Sequence, residues 1–585
     1  MFVLNQMLRD FTELDRKISP ATAIGFEDFI DQSQQDPSVY LRARAFAVAG
    51  VLARTTGDSY AQKATAYLNA AIQTLAAAEA PDLIRVSCIR AIQDLIEALP
   101  LNITKPLQTL LINGISSFIS SQDMNDPEVD DLKVSLIETL RDVIMIDVAC
   151  TYTGPAVDLL FTLASHGAAN FQISLLVTET FESIVSSVAE LGHEPYVCLC
   201  EKTIPSLTGA FDVGSMTQES ALTNLAAELV SALAEYGSEP LPDGFVAAVM
   251  PKLNRVLLES SDPELVRPST LAVKHMLAHG SSQFLAWNDP ATGKNAVEMT
   301  LIIIDRLLNS SLVDDNAAAE VGGLAAELVE RAGGDKLGPF LLQLLRAVAL
   351  RLATAEKAQF IQSLILVFAR LSISSPRDVI DFLSQVDIHG ENGLNVVLAK
   401  WLESSINFAG YDAIRQNVVA LSKLYDLDDL RIRRVGVRGD LIMLETGRIK
   451  TRSQAKANPD RWTTIPANLK ILKVLAEELT NASSNRFNPS AAAAALDSEG
   501  SEDGDEWEDV GAGSTGALDL GLGMTKQELM AYDEEESPTN SRQRDDETSD
   551  FLTGWFREQA QKPEFGEMFA ALNSEEREKL QKLGG

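Results

Sequence analysis

The residues best placed to do chemistry are carboxylates. Asp497, Glu499, Glu502, Asp503, Asp505, Glu506, Glu508 and Asp509 fall within thirteen residues, around Trp507 and without a basic residue, and a second cluster follows at Asp533, Glu534, Glu535 and Glu536. From Asp497 to Asp550 there are 18 acidic residues against Lys526, Arg542 and Arg544, a net charge of -15. So few apolar residues cannot offset the entropy of ordering this segment, and its charges repel, so the sequence predicts a solvated polyanion. Its chemistry is attraction of cations. Trp507 adds an aromatic surface for an apolar patch or an Arg guanidinium.

Other patterns are weaker. Gly511, Gly513 and Gly516 spell a dinucleotide fingerprint, but acidic residues precede them where a strand is required, so they form a linker. His275 and His279 lie four apart on a helix, and His193 precedes Cys198 and Cys200, yet neither group makes a tetrahedral metal set. With five His and no nucleophile, base and orienter that can be placed together, no catalytic residue, metal or cofactor is assigned and an enzyme is not expected. Ser498, Ser501 and Ser537 sit in short phosphorylation-like contexts that would deepen the negative charge.

The rest of the chain must position these groups. Over 585 residues the net charge is -34, so removing the segment's -15 leaves -19 elsewhere, a field that rejects nucleic acid and anionic membranes and favours basic proteins. Cys88, Cys150, Cys198 and Cys200 are too sparse for a disulfide framework, which implies a reducing compartment. No signal peptide or stretch of roughly 18 apolar residues is evident.

Up to about residue 485 apolar residues recur at helical spacing, with turn residues between segments. A first helix, a short turn and a second helix repeat, the second often opening with Pro, as at Pro37, Pro81, Pro127 and Pro263. Pro37, Pro81 and Pro127 are 44 and 46 residues apart, and later second helices are expected near Phe171, Met216, Pro263, Asp314 and Ala355. That period belongs to HEAT-type helical pairs. The fold class is therefore all-α, an α-α superhelix of the HEAT/armadillo type, with around ten repeats. Representative pairs are 104–120 with 128–146, 244–258 with 263–278, and 337–352 with 355–371. The expected division is a solenoid over 1–430, a C-terminal HEAT region with a basic segment over 431–484, the acidic loop inserted in a terminal repeat over 485–549, and terminal helices over 550–585. No strand is expected.

On second helices, Glu182, Glu190, Glu228, Glu235, Glu327 and Glu330 are candidates to meet cargo on a concave face. Arg431, Arg433, Arg434, Arg438, Arg448, Lys450, Arg452, Lys456 and Arg461 form a local basic stretch, expected to neutralise acidic helices or hold the acidic loop. Phe2, Val3, Leu4, Met7, Leu8 and Phe11 present an apolar face at the start, which suggests repeats before Met1, a partner-binding surface or a fold-back.

Thr451-Arg-Ser-Gln-Ala-Lys-Ala-Asn-Pro-Asp-Arg-Trp462-Thr-Thr-Ile-Pro466, the acidic segment, Phe551-Leu-Thr-Gly-Trp555-Phe556 and Phe565-Gly-Glu-Met-Phe569 resemble, in that order, the C-terminal part of the importin-9 type of karyopherin-β, including its fungal counterparts. The match is specific from about Gly439 onward. It implies a nuclear import receptor that shuttles between cytoplasm and nucleus, binds nucleoporins, and shields basic cargo such as core histones and the TATA-binding protein. Family members bind Ran-GTP through N-terminal repeats, a region not recognisable in this sequence. The competing readings are a HEAT scaffold and a histone chaperone without a transport role.

Overall fold

The computed structural model describes residues 1–13, 17–56, 60–213, 221–237, 240–441, 462–483, 545–563 and 565–582. These fall into two compact units, one of Met1–Glu320 with Glu327–Gly338, the other of Val321–Ala326 with Pro339–Gly585.

In the first unit the helices form two layers. Val39–Thr56, Asp82–Ala98, Asp130–Ile146, Phe171–Leu191, Ala221–Glu235 and Pro263–His279 lie side by side, each against the next. Behind them Ala61–Ala76, Gln108–Ser121, Ala156–Gly167, His193–Val213 and Phe245–Glu259 each pack on the second helix that follows. This is the expected stack of helical pairs, because each helix has one apolar face that only its neighbours can cover. Small residues set the spacing. A Cβ at Gly50 would lie 3.0–3.1 Å from Asp94 Cβ and the Ala91 backbone, so only glycine lets 39–56 approach 82–98 so closely.

The Asp-Pro openings work as helix caps. Asp262 accepts from the Glu264 N–H at 3.0 Å with Pro263 in the first turn, which satisfies a donor that has no partner inside the helix. Pro127 opens a short 3-10 turn before Asp130–Ile146. The helix expected near Asp314 begins instead at Val321, and that expected near Met216 begins within the described residues at Ala221.

A recurring cation ties one repeat to the next. Arg255 donates to the Phe211 carbonyl at 2.6 Å, Arg306 to Leu257 and Ser260 at 2.7 and 2.6 Å, and in the second unit Lys400 donates to Ala355 at 2.9 Å. Each positive group meets the carbonyl-rich C-terminal end of a preceding helix, where the helix dipole favours it.

The second unit continues the pairing, with Ala358–Ser374, Tyr411–Asp426, Ala467–Ser483 and Asp546–Gln559 packed in succession. It also contains strands the sequence analysis did not expect. Asp387–Ile388 pairs with Glu391–Asn392, and Gly436–Leu441 pairs antiparallel with Trp462–Pro466. The second pair was legible: Val435 and Val437 are buried while Gly436 and Arg438, which alternate with them, are exposed, the period-two pattern of a strand. Arg438, read as part of a basic stretch, masked that alternation. The helix expected from Ile465 consequently starts at Ala467, after Pro466 ends the strand.

Candidate acidic interface

Four carboxylates of the layer formed by the second helices occupy equivalent places in consecutive repeats. Asp94, Glu138, Glu182 and Glu228 are 44, 44 and 46 residues apart, one on each of four adjacent helices. All four hold their protons more tightly than an ordinary carboxylate, and partial loss of solvent between packed helices is the leading cause in each case.

Their neighbours then differ. Arg54 spans to Asp94 and Glu97, each at 3.0 Å, and partly restores the ionised form of Asp94. Gln93 donates to Asp142 at 3.5 Å, and Arg90 and Arg141 oppose the upward shift of Glu138. Asp142 is itself shifted upward by burial, against Gln93 and Arg141. Further along, the charged groups acting on Glu182 are Glu235, Glu179 and Glu228, which push it the same way as burial. Glu228 accepts from the Thr178 hydroxyl at 2.9 Å and feels Glu264. Tyr236, beside Glu235 and Glu182, is also pushed upward, first by burial and then by those carboxylates. Among the described residues, the charges acting on one end of this row include arginines, and those acting on Glu182 and Glu228 are carboxylates. At the other end a cation brought from outside would relieve like-charge repulsion and recover the lost solvation.

Of the residues singled out in the sequence, Glu182, Glu228 and Glu235 therefore come together. Glu190 is exposed at the end of the same helix as Glu182. Glu327 is 5% exposed and paired with Arg331 at 2.8 Å, which makes it a structural ion pair within its helix, while Glu330 is exposed. Asp94, Glu138, Asp142, Glu179 and Glu264 were missed. The 44-residue recurrence of acidic residues, at the period of the helical pairs themselves, finds Asp94 and Glu138 from Glu182; no such signal marks Asp142, Glu179 or Glu264.

Asp497, Glu499, Glu502, Asp503, Asp505, Glu506, Trp507, Glu508, Asp509 and Asp533 to Glu536 lie outside the described residues, as do Gly511 to Gly516 and Ser498, Ser501 and Ser537. The helices on either side of 484–544, Ala467–Ser483 and Asp546–Gln559, pack against each other, with the Ser483 and Ser549 hydroxyls 3.0 Å apart. Asp545 caps the second of them and takes a paired contact from Arg415, at 2.7 and 3.1 Å. Trp555 packs edge-on against Tyr425 and donates to Asp426 at 3.2 Å.

Among the described residues of the basic stretch, Arg431, Arg433 and Arg438 each have an acidic partner, and Arg434 is exposed. Arg431 meets Asp429 at 2.6 Å and Asp381 at 2.7 Å, Arg433 meets Asp428, and Arg438 meets Glu403 at 3.4 Å and lies over the Trp462 ring. Arg448, Lys450, Arg452, Lys456 and Arg461 lie outside the described residues. Among the described residues no His, Cys, Asp or Glu group is arranged to hold a metal, and no helix is long and apolar enough to cross a membrane. Cys198 is exposed and Cys200 buried, so the two thiols face opposite sides of their helix.

Residues 1–168 match the family described as importin-9 central HEAT repeats. Importin subunit beta-5 of Schizosaccharomyces pombe is 27% identical over 531 residues, 89% of this chain and 49% of that protein. Importin subunit beta-5 of Saccharomyces cerevisiae is 28% identical over 67% of this chain and 39% of its own length. Importin-9 of Drosophila melanogaster is 24% identical over 68% of this chain and 39% of its own. The chain spans half or less of the length of these relatives. The likeness to importin-9-type karyopherins, read first in the C-terminal motifs, thus extends through the N-terminal repeats.

Proposed function

We propose that this chain is the cargo-holding part of a nuclear transport receptor, and that it binds basic proteins, core histones and the TATA-binding protein among them, on the carboxylate row of its second helices. The observation that carries this reading is the set of carboxylates around Glu182 and Glu228, whose charged neighbours are themselves acidic. A lysine- or arginine-rich surface supplies the missing charge, and repetition at one carboxylate per helical pair lets several weak contacts add. The acidic segment from Asp497 to Asp509 acts with the row by raising the local carboxylate concentration, with Trp507 as its aromatic contact. Ran-GTP and nucleoporins complete the transport cycle, moving the protein between cytoplasm and nucleus.

The test is binding of a core histone dimer by the chain, read by fluorescence anisotropy at two salt concentrations. Glu182→Gln with Glu228→Gln weakens binding about tenfold, since each exposed ion pair is worth up to about 1 kcal/mol, and flattens the salt dependence. Unchanged affinity rejects the row as the binding surface, and unchanged affinity after deletion of 497–509 rejects the segment's role. A scaffold fails to bind histones at all. A histone chaperone binds them but, in the full-length protein, does not release them to Ran-GTP.

A further inference from the structure

Within the first unit, the first turns of the second helices carry large apolar side chains in the open. Tyr40 is 76% exposed, Leu83 44% and Phe171 76%, and Leu175 is exposed one turn after Phe171. Pro127, also exposed, holds the same place ahead of Asp130–Ile146. Tyr40, Leu83, Pro127 and Phe171 are 43, 44 and 44 residues apart, so the feature recurs once per helical pair. Exposed apolar residues scattered singly need no explanation, whereas a strip of them rimmed by polar groups marks an interaction surface.

The strip shares a face with the carboxylate row. Leu83 precedes Asp94, and Phe171 precedes Glu182, by 11 residues, which is close to three whole helical turns and about 16 Å along the axis. The N-terminal ends of neighbouring second helices meet, with Asn170 donating to Asp130 at 2.9 Å, so the strip crosses the helices alongside the row. Its accessible charge between Leu83 and Phe171 is negative. Asp126, Glu128 and Asp131 are exposed there, while Arg85 and Lys133 are each 1% exposed, held on the Leu75 carbonyl at 3.1 Å and on Asp130 at 2.7 Å. Arg42 and Arg44 follow Tyr40 at the far end, where Arg44 lies over the Phe2 ring.

Charge and spacing define the occupant. A second copy of this chain, at a net charge of -34, would add repulsion, whereas a basic partner complements the acidic rim. Packed helices lie roughly 8–10 Å apart. A polyproline II segment turns once in three residues and rises about 9 Å in doing so, so every third side chain points the same way at the spacing of the helices.

We infer that this strip receives an extended, polyproline II-like segment of a bound protein, with an apolar residue at every third position and lysine or arginine between. The inference deepens the proposed function and rests on it only for the class of partner, a basic protein.

The probe is a fluorescein-labelled peptide with leucine at every third of twelve positions and lysine or arginine elsewhere, read by anisotropy on the whole chain. It binds at least tenfold tighter than a peptide of the same composition whose leucines are grouped at one end. A peptide with the same leucine spacing and glutamine for every basic residue binds at least tenfold more weakly. Tyr40→Ser with Phe171→Ser, at side chains 76% exposed, leaves the melting temperature in place and removes the preference for spaced leucines without weakening the grouped peptide. Leu83→Ser reduces the preference several-fold, and decides the matter should the double variant melt lower. Glu182→Gln with Glu228→Gln weakens both basic peptides alike and keeps the preference, so failure of the carboxylate row and failure of the strip are read separately. No binding of the spaced peptide, equal binding of spaced and grouped peptides, or a preference that survives these serine variants overturns the strip. A glutamine peptide that binds as tightly as the basic one overturns the choice of partner.

Discussion

Asp94 and Glu182 hold equivalent positions two repeats apart, both lose solvent to packed helices, and both have raised proton affinity, yet their surroundings are opposite. Asp94 has Arg54 at 3.0 Å. Glu182 has Glu179, Glu228 and Glu235. The same feature of the repeat thus serves two purposes. Where the fold supplies the cation, the carboxylate locks neighbouring helices together, and where it does not, the carboxylate is left at a cost that a partner can relieve.

The sharpest way to break the contrast is to remove the internal cation. Arg54→Met leaves Asp94, whose side chain is 15% exposed, without its donor beside Gly50. Loss of a charged hydrogen bond at a partly covered group costs about 1–3 kcal/mol, seen as a lower urea midpoint. Affinity for a basic protein should not fall in this variant, because Asp94 and Glu97 become available. A stability change within error would show that the Arg54 end is as loosely held as the Glu182 end, and the contrast would disappear.

The opposite change should do the reverse. Glu182→Gln with Glu228→Gln removes like-charge neighbours at exposed and half-exposed positions, so the folded chain gains about 0.5 kcal/mol at low salt, screened away as salt rises. Calorimetry at two ionic strengths checks this. Stability that rises while histone affinity falls is the signature of a site kept charged for a partner. Parallel loss of both would make these glutamates structural, like Asp94.

How much of this contrast was legible is itself instructive. The helical pairs were, because a period of about 44 residues and Asp-Pro caps such as Asp262-Pro263 are local signals. Glu182, Glu228 and Glu235 were found as acidic residues on second helices. Glu327 is also acidic and on a helix of the same kind, but it is buried and pairs with the exposed Arg331 one turn on; its burial depends on packing between helices, which its own helix does not show. The partnership of Arg54 with Asp94 spans 40 residues, and no local pattern marks it. The strand pair at Gly436 and Trp462 was lost for a related reason: its alternation is short, and its exposed positions carried the charges that drew attention to a basic patch.

The smallest expected effect is also the most specific. Glu182 and Glu228 have folded-state proton affinities above the ordinary glutamate value of 4.5, so between that value and their raised ones the folded chain holds protons that the unfolded chain has lost. Where the folded state binds more protons, stability falls as pH rises. The penalty from these two residues is absent below pH 4.5, grows as pH climbs through their raised values, and is full above them. The stability difference between the wild type and the Glu182→Gln, Glu228→Gln variant should therefore shrink as pH is lowered from about 7 toward the ordinary glutamate value. Saturating basic partner should abolish that pH dependence, because a bound cation favours the ionised form and draws both groups back down. Asp94 is raised as well, by burial against the Arg54 contact, so its pH response has the same sign and the two ends differ in their partners. Asp94→Asn forfeits the charged contact with Arg54 and should gain less stability near neutral pH than the Glu182→Gln, Glu228→Gln variant, or lose it; equal changes in the two variants would mean that Arg54 does not distinguish the ends.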